Sequence, residues 1–129
     1  MIPPMPGRLI VDGNNVMGSR PDGWWKDRPG ATRRLVERIG AWADAAGADV
    51  IVVFDGRPPP GLRAPARVEL RFAERGGANA ADDVIAALVA DAAAPAALRV
   101  VTSDAELARR VREHGADVIG ARRFREQLD

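Results

Sequence analysis

The sequence predicts a three-layer α/β fold with a mainly parallel sheet of about five strands. Two short apolar runs, RLIVD (8–12) and DVIVVFDG (49–56), each end at an aspartate, as buried parallel strands do. A helical pattern lies between them, and strand and helix patterns continue to alternate toward residue 129. With 129 residues, 47% of them hydrophobic, the chain suits one domain with its own core.

The elements follow one another with clear boundaries. The first helix, 31–47, presents Leu35, Val36 and Ile39 at helical spacing and stops at Gly47. The later elements are an outer, half-exposed strand at 66–74, a helix at 79–93 capped by Asn79, a strand at 98–104, a helix at 103–115, a strand at 116–120 and a frayed helix at 122–129. Ser103 and Glu106 form a capping-box pattern for the helix at 103–115. We therefore expect a single domain, 1–129, with residues 1–7 and 121–129 as peripheral termini.

Composition excludes several kinds of site. The sequence has no cysteine, so disulfides, thiolate metal sites and thiol nucleophiles are ruled out. The first eight residues lack the apolar segment of a signal peptide, and no run approaches the ~20 apolar residues of a membrane span. We expect a soluble cytoplasmic protein with no membrane contact. Basic and acidic residues number 19 and 18, so net charge does not indicate nucleic-acid binding.

Acidic residues gather where the predicted strands end. Asp12, Asp55 and Asp104 close or follow strands, and Asp82 and Asp83 lie in the first turn of a helix. Each alone is explained by turn chemistry or by the helix dipole. Together, at one edge of a parallel sheet, they would repel one another, and a cation is the economical remedy.

The nature of these side chains favours a hard ion. No cysteine exists and the single histidine, His114, lies at a helix end, which leaves oxygen ligands suited to one or two Mg2+ or Mn2+ ions. We expect Asp12 and Asp104 to bind directly and Asp82 to complete the shell, with Asp55 or Asp83 acting through water or holding a second ion. Such a site suits the hydrolysis of phosphodiester bonds.

Four motifs in order resemble a known family. LIVDGNNVM, VVFDG, GGANAADDVI and VVTSDAEL are similar to the motif series of NYN-domain ribonucleases in the PIN-like superfamily, closest to the YacP-like branch. The likeness spans roughly residues 8–120. It implies a PIN-like version of the Rossmann-like fold and metal-dependent, endonucleolytic cleavage of RNA.

The resemblance also assigns residues. It places Asp12, Asn15, Asp82 and Asp104 in the catalytic set and matches Asp55 to the family's second-strand acid. We expect Asn15 to hydrogen-bond the ligand shell or the substrate. The chain departs from the family at Asn14, where an aromatic residue is usual and where we expect a turn role. It departs also at Asp83, where glutamate is common and the shorter carboxylate leaves the ligand role open.

Two loops predict the substrate-binding rim. The first supplies Arg20, Trp24, Trp25, Lys26 and Arg28, in which tryptophans could stack bases, although one of the two is expected to pack over the core. The second supplies Arg57, Arg63 and Arg67, which could follow a phosphate backbone or simply protect an edge strand. Ser103 is a further candidate for binding phosphate or water, unless it only caps a helix.

Other functions stay open at this stage. One is a non-catalytic RNA-binding module, and another is a PIN-like toxin that requires an antitoxin partner. A phospho-acceptor receiver domain is disfavoured because the chain has a single acid at the first strand end and no lysine after Lys26. The RNA could be free or presented by a ribosome or another RNA-associated protein. The sequence leaves the oligomeric state undetermined.

Overall fold

In a computed structural model, which describes residues 8–75, 77 and 79–129, five parallel strands form one sheet in the order β3-β2-β1-β4-β5. The strands are β1 (Arg8–Asp12), β2 (Asp49–Asp55), β3 (Val68–Ala73), β4 (Arg99–Val101) and β5 (Asp117–Ile119). The helices are α1 (Gly13–Met17), α2 (Arg28–Ala46), α3 (Ala80–Ala90), α4 (Ala105–Glu113) and α5 (Ala121–Leu128). The predicted α/β fold class with a parallel sheet is confirmed.

Alternate strand residues supply the two faces of the sheet, which makes the fold three-layered. Leu9 and Val11 pack with α2 and α5 on one face, while Ile10 packs with α3 and α4 on the other. Strand order reverses at β1, because β2 and β3 lie to one side of it and β4 and β5 to the other. Such a switch point opens a crevice at the carboxyl edge of an α/β sheet.

Helix α2 begins three residues before its predicted start. The Asp27 carboxylate accepts a hydrogen bond from the Gly30 N–H at 3.1 Å, and Pro29 occupies the first turn, where a missing N–H costs nothing. The helix ends as predicted at Gly47, which has a φ of 66°. No helix in the described part of the chain has the length and apolarity that a membrane crossing requires.

The terminal helix corrects the sequence prediction, because it is neither frayed nor peripheral. Phe124 of α5 is fully buried and meets Trp42 of α2 edge to face, with ring centroids 5.1 Å apart. Arg125 is also buried, and its guanidinium donates to the Val16 carbonyl and to Asp22. The segment is therefore part of the core layer. The predicted peripheral position of residues 1–7 lies outside the described residues.

The start of α4 also differs from the prediction. Its N-cap is Asp104, whose Oδ1 accepts from the Leu107 N–H at 3.0 Å, so Ser103 does not form a capping box with Glu106. Glu106 instead pairs with Arg109 on the exposed side of the helix. Ser103 Oγ accepts from the Ala121 N–H at 2.8 Å, so this hydroxyl holds the start of α5.

Candidate active site

Four predicted acids come together at the carboxyl edge of the sheet. Asp12 and Asp55 end β1 and β2, Asp104 follows β4, and Asp82 lies in the first turn of α3. Their negative charges interact. The charges of Asp82 and Asp55 raise the pKa of Asp12, and the charges of Asp104 and Asp55 raise the pKa of Asp82. This edge is the candidate active site.

Asp12 is the most deeply placed of these acids. It is 5% exposed, and its Oδ2 accepts a 2.9 Å hydrogen bond from the hydroxyl of Thr102, itself buried. Burial is the main cause that raises the pKa of Asp12 to about 6; the charges of Asp82 and Asp55 add to the rise, and the hydrogen bond from Thr102 opposes it. A positive charge at this edge would therefore be strongly favoured.

Asp82 is half-buried beside the same edge. Burial raises its pKa first, and the negative charges of Asp104 and Asp55 add to the effect. Arg110 of α4 lowers the pKa of Asp82 but does not cancel these contributions. Two of the four acids thus hold their protons more strongly than free aspartates do.

Asp55 and Asp104 each use one oxygen to fix the scaffold. Asp55 Oδ1 accepts from the Ala81 N–H at 3.1 Å at the start of α3, whereas Asp104 Oδ1 caps α4. Asn79 precedes α3 as predicted, but its side chain makes no capping bond, so Asp55 serves that helix instead. Each carboxylate therefore keeps its second oxygen for another partner.

Asp83 stands apart from the four acids. Its carboxylate pairs with Arg110 at 3.0 Å, and its side chain is 68% exposed. The prediction that Asp83 holds a metal ion gains no support from this placement, because the carboxylate is already neutralised by a guanidinium. Arg110 comes 27 residues later in the chain, which is why the sequence pattern did not reveal the pair.

The two asparagines of the opening motif tie the first strand end to its neighbours. Asn14 Oδ1 accepts from the Asp55 N–H at 2.7 Å, and Asn15 Oδ1 accepts from the Ser103 N–H at 2.7 Å. Asn14 thus does more than serve a turn, because it positions the end of β2. Since both oxygens accept from backbone, both amide NH2 groups face elsewhere, and that of Asn15 has no partner in the described part of the chain.

Gly13 is required by close packing. A Cβ at this position would lie 2.5 Å from the ring of Phe54. The DGNN sequence predicts a turn after β1, but residues 13–17 form the short helix α1. The absence of a side chain at Gly13 lets that helix lie against Phe54 and brings both asparagines to the edge.

The acidic edge is a candidate site for a divalent cation. Within residues 8–75, 77 and 79–129, no three acidic, histidine or cysteine side chains form a ready-made metal cage. The chemistry of the edge nevertheless fits a hard cation, because its donors are all oxygens, and burial together with neighbouring negative charges raises the pKa of Asp12 and Asp82. An ion there would be held by few direct carboxylates and by waters, as Mg2+ usually is.

The first rim loop is divided between core and surface. Trp24 is half-buried against the core, whereas Trp25 is 53% exposed, so one tryptophan packs inward as expected. The Arg28 guanidinium lies 5.8 Å from the centroid of the Trp24 ring. Lys26 is exposed on a short 3-10 helix, Trp24–Lys26. Trp25 and Arg28 therefore remain available to a ligand.

Two predicted rim arginines are placed elsewhere. Arg20 pairs with Asp129, which occupies its guanidinium. Arg67 pairs with Asp49 at 3.4 Å, at the opposite edge of the sheet from Asp55. Arg67 therefore lies away from the acidic edge, because strand β3 runs parallel to β2 and begins at the amino edge, and this placement lends no support to its predicted role in substrate binding. Arg63 is exposed on the connecting loop.

Two recesses flank the acidic edge. One, of about 400 Å3, lies on the β2 side and is lined by Asn14, Asp55, Arg28 and Arg57 among others. The other, of about 420 Å3, lies on the β4 side and is lined by Asn15, Ser103 and Arg122 among others. The sequence did not single out Arg122, because its position beside Ser103 depends on the packing of α5.

Comparison with known proteins agrees with the motifs. Residues 9–129 match the family model of the YacP-like NYN domain. A structure of Rae1 (YacP) from Bacillus subtilis, a tryptophan-to-leucine mutant, is 28% identical with a TM-score of 0.72, covering 95% of this chain and 76% of that one. A second Rae1 (YacP) structure from Bacillus subtilis is 27% identical with a TM-score of 0.72, covering 94% and 74%.

The curated proteins contain no match to this sequence. The family match nevertheless spans nearly the whole chain, from β1 through α5. The predicted family resemblance is thus confirmed. The chain belongs to the YacP-like NYN domain family, and this membership supports the ribonuclease class of activity that the motif series indicated.

Proposed function

We propose that this protein is a metal-dependent endoribonuclease that hydrolyses RNA phosphodiester bonds at the carboxyl edge of its sheet. The observation that carries the proposal is the convergence of Asp12, Asp55, Asp82 and Asp104, with raised pKa values for Asp12 and Asp82. A non-catalytic module would gain nothing from such repulsion, which costs stability.

The ion, Mg2+ or Mn2+, would be held by Asp12, Asp82 and Asp104, with Asp55 contributing directly or through water. When bound it would supply an activated water and neutralise charge on the phosphate. The Thr102 hydroxyl donates a hydrogen bond to Asp12 and accepts one from the Asp104 N–H at 3.1 Å. One buried side chain therefore sets the relative position of two acids.

The remaining residues position the RNA. The Asn15 side chain is fixed by the Ser103 N–H, which leaves its NH2 to donate to a phosphate oxygen. Arg28 and Arg57 on one side and Arg122 on the other place guanidinium groups in the two flanking recesses. An RNA strand that crosses the acidic edge of the sheet would contact positive charge on both sides of the acids. This arrangement suits endonucleolytic cleavage, in which the RNA continues on both sides of the cut.

The experiment is cleavage of labelled single-stranded and structured RNA with Mg2+, Mn2+ or chelator. Asp12→Asn and Asp104→Asn should each lose at least about 100-fold in rate, more than a change outside the ligand shell. Asp117→Asn is the matched control, since Asp117 is an exposed aspartate at the opposite edge of the sheet.

The outcomes separate the candidate functions. Metal-dependent cutting that is lost in both variants but kept in Asp117→Asn supports the nuclease. Cutting that persists in both variants contradicts the site assignment. RNA binding without cutting, in the presence of either ion, would favour the binding module instead.

A further inference from the structure

The recess on the β2 side has the features of a subsite for one nucleotide. It lies between the start of α2 and the loop Pro58–Pro60, and we call it the proline-loop recess. Its volume of about 400 Å3 falls within the range of about 300–1,000 Å3 typical of small-molecule sites. The volume alone does not identify a ligand, so the kind of ligand is inferred from the residues that line the recess.

An aromatic surface lines one part of the recess. Phe72 of the edge strand β3 is half-buried and stacks on the buried ring of Phe54, with centroids 5.2 Å apart and planes inclined by 18°. Phe54 is in turn held by the close approach of Gly13. The Phe72 ring is therefore held in place by the Phe54 ring on one side. A flat, rigid aromatic surface of this kind favours stacking of a base.

Two arginines line the same recess without acidic partners. Arg28 and Arg57 are exposed, and neither forms an ion pair with any residue in the described ranges, whereas Arg67, Arg109 and Arg110 do. Arg28 is oriented by the Trp24 ring at 5.8 Å. Guanidinium groups that line a cavity and are not already paired with a carboxylate are suited to binding a phosphate.

The walls of the recess are built by specific contacts. The Arg33 guanidinium donates to the carbonyl of Pro60, which ties the proline loop to α2. Asn14 fixes the Asp55 backbone at the opposite end, where the recess meets the acids. A ligand in this space would thus be continuous with a phosphate at the acidic edge.

We propose that the proline-loop recess binds the single nucleotide next to the scissile phosphate, with its base against Phe72 and its phosphate between Arg28 and Arg57. This inference rests on the proposed function, because the acids define where the scissile phosphate lies. It adds a base-binding subsite on the β2 side. A base there would make cleavage depend on the identity or presence of one nucleotide at a fixed distance from the cut.

The test measures binding of a fluorescent RNA oligonucleotide by anisotropy in chelator, so that cleavage plays no part. Arg57→Gln and Arg28→Gln should each weaken binding about tenfold. Arg112→Gln is the matched control, with a change below twofold, because Arg112 is an exposed arginine in the last turn of α4, which runs away from the acidic edge. All three side chains are exposed, so folding should be retained, which thermal unfolding checks.

A second measurement locates the base. A series of oligonucleotides, each with one abasic position, should show one position at which binding by the wild type falls about tenfold. Phe72→Leu should weaken binding of the intact RNA by a similar factor and should show no further loss with that abasic RNA. Such non-additivity is expected only when the ring and the base contact each other.

The opposing outcomes are distinct for the two proposals. Arg57→Gln and Arg28→Gln that bind like Arg112→Gln overturn the subsite, as does an abasic penalty of equal size in the wild type and in Phe72→Leu. Cleavage that survives Asp12→Asn and Asp104→Asn overturns the proposed nuclease site, and binding in chelator still decides whether the recess holds a nucleotide.

Discussion

At the amino edge of the sheet Arg67 faces Asp49 and Arg8 faces Glu69, whereas at the carboxyl edge Asp12, Asp55 and Asp82 face one another. Both edges belong to the same parallel strands, so the fold does not dictate the contrast. Paired charges at the first edge are nearly neutral for stability. Unpaired acids at the second edge are costly, and the proposed cation site would account for that cost.

Outside the four acids, the largest effect should come from Thr102, the buried hydroxyl that joins two of them. Thr102→Val removes the donor to Asp12 and the acceptor for the Asp104 N–H, and we expect a loss of about 10- to 100-fold in RNA cleavage. The pKa of Asp12 should rise further, so the activity profile should shift to higher pH. Thr102→Ser keeps the hydroxyl and should retain most of the activity. Equal activity in both variants would contradict this role.

The cost of burying Asp12 gives a prediction about stability. Its pKa is raised from 3.8 to about 6 on folding, so between these values the folded chain holds a proton that the unfolded chain has lost. The contribution of Asp12 to the free energy of unfolding is therefore full below about pH 4 and is lost as the pH rises through about 6.

Asp12→Asn removes this titration and keeps an amide oxygen for Thr102. The variant should exceed the wild type by about 1–3 kcal/mol at pH 8 and lie close to it near pH 4, as measured by urea unfolding. A variant that is less stable at pH 8, or a difference that does not change with pH, would show that the buried charge is not costly.

A smaller effect is expected at Arg110, the guanidinium next to the acidic edge. Arg110→Gln removes the charge that lowers the pKa of Asp82, so cleavage should fall several-fold at acidic pH and recover in part as the pH rises. Asp83→Asn keeps Arg110 and should change cleavage less than about threefold, because Asp83 is mostly exposed. A larger loss in Asp83→Asn than in Arg110→Gln would restore Asp83 as a candidate ligand.

The smallest effect should be found at the amino edge. Arg67→Gln breaks the exposed pair with Asp49 and should cost less than about 1 kcal/mol in the free energy of unfolding. Cleavage and RNA affinity should stay within twofold of the wild type, since Arg67 lies one strand length from the acids. A clear loss of RNA affinity would place substrate at this edge after all.

The sequence was most informative about strand ends. Apolar runs closed by Asp12 and Asp55 predicted parallel strands, and parallel strands bring their carboxyl ends to one edge whatever the loops do. The four central acids followed from that rule and from the motif series. Their convergence therefore required no knowledge of side-chain contacts.

Contacts between distant segments were not predictable in the same way. Arg125 meets Val16 across 109 residues and Arg110 meets Asp83 across 27, and no local pattern encodes either pair. Ser103 and Asp104 show the same limit at short range, since both residue types cap helices and only the position of α5 assigns Ser103 to Ala121. The local sequence thus identified the candidate residues, whereas the tertiary packing determined which partners they contact.

The most direct test of the account is the melting temperature of the wild type with and without Mn2+ or Mg2+, at constant ionic strength. If the carboxyl edge is a cation site, a saturating ion should raise the melting temperature by at least about 4 °C, and Asp12→Asn and Asp104→Asn should lose most of that rise while Asp117→Asn keeps it. An equal rise in all four proteins, or none in the wild type, would contradict the claim that the repulsion among these acids is relieved by a bound ion.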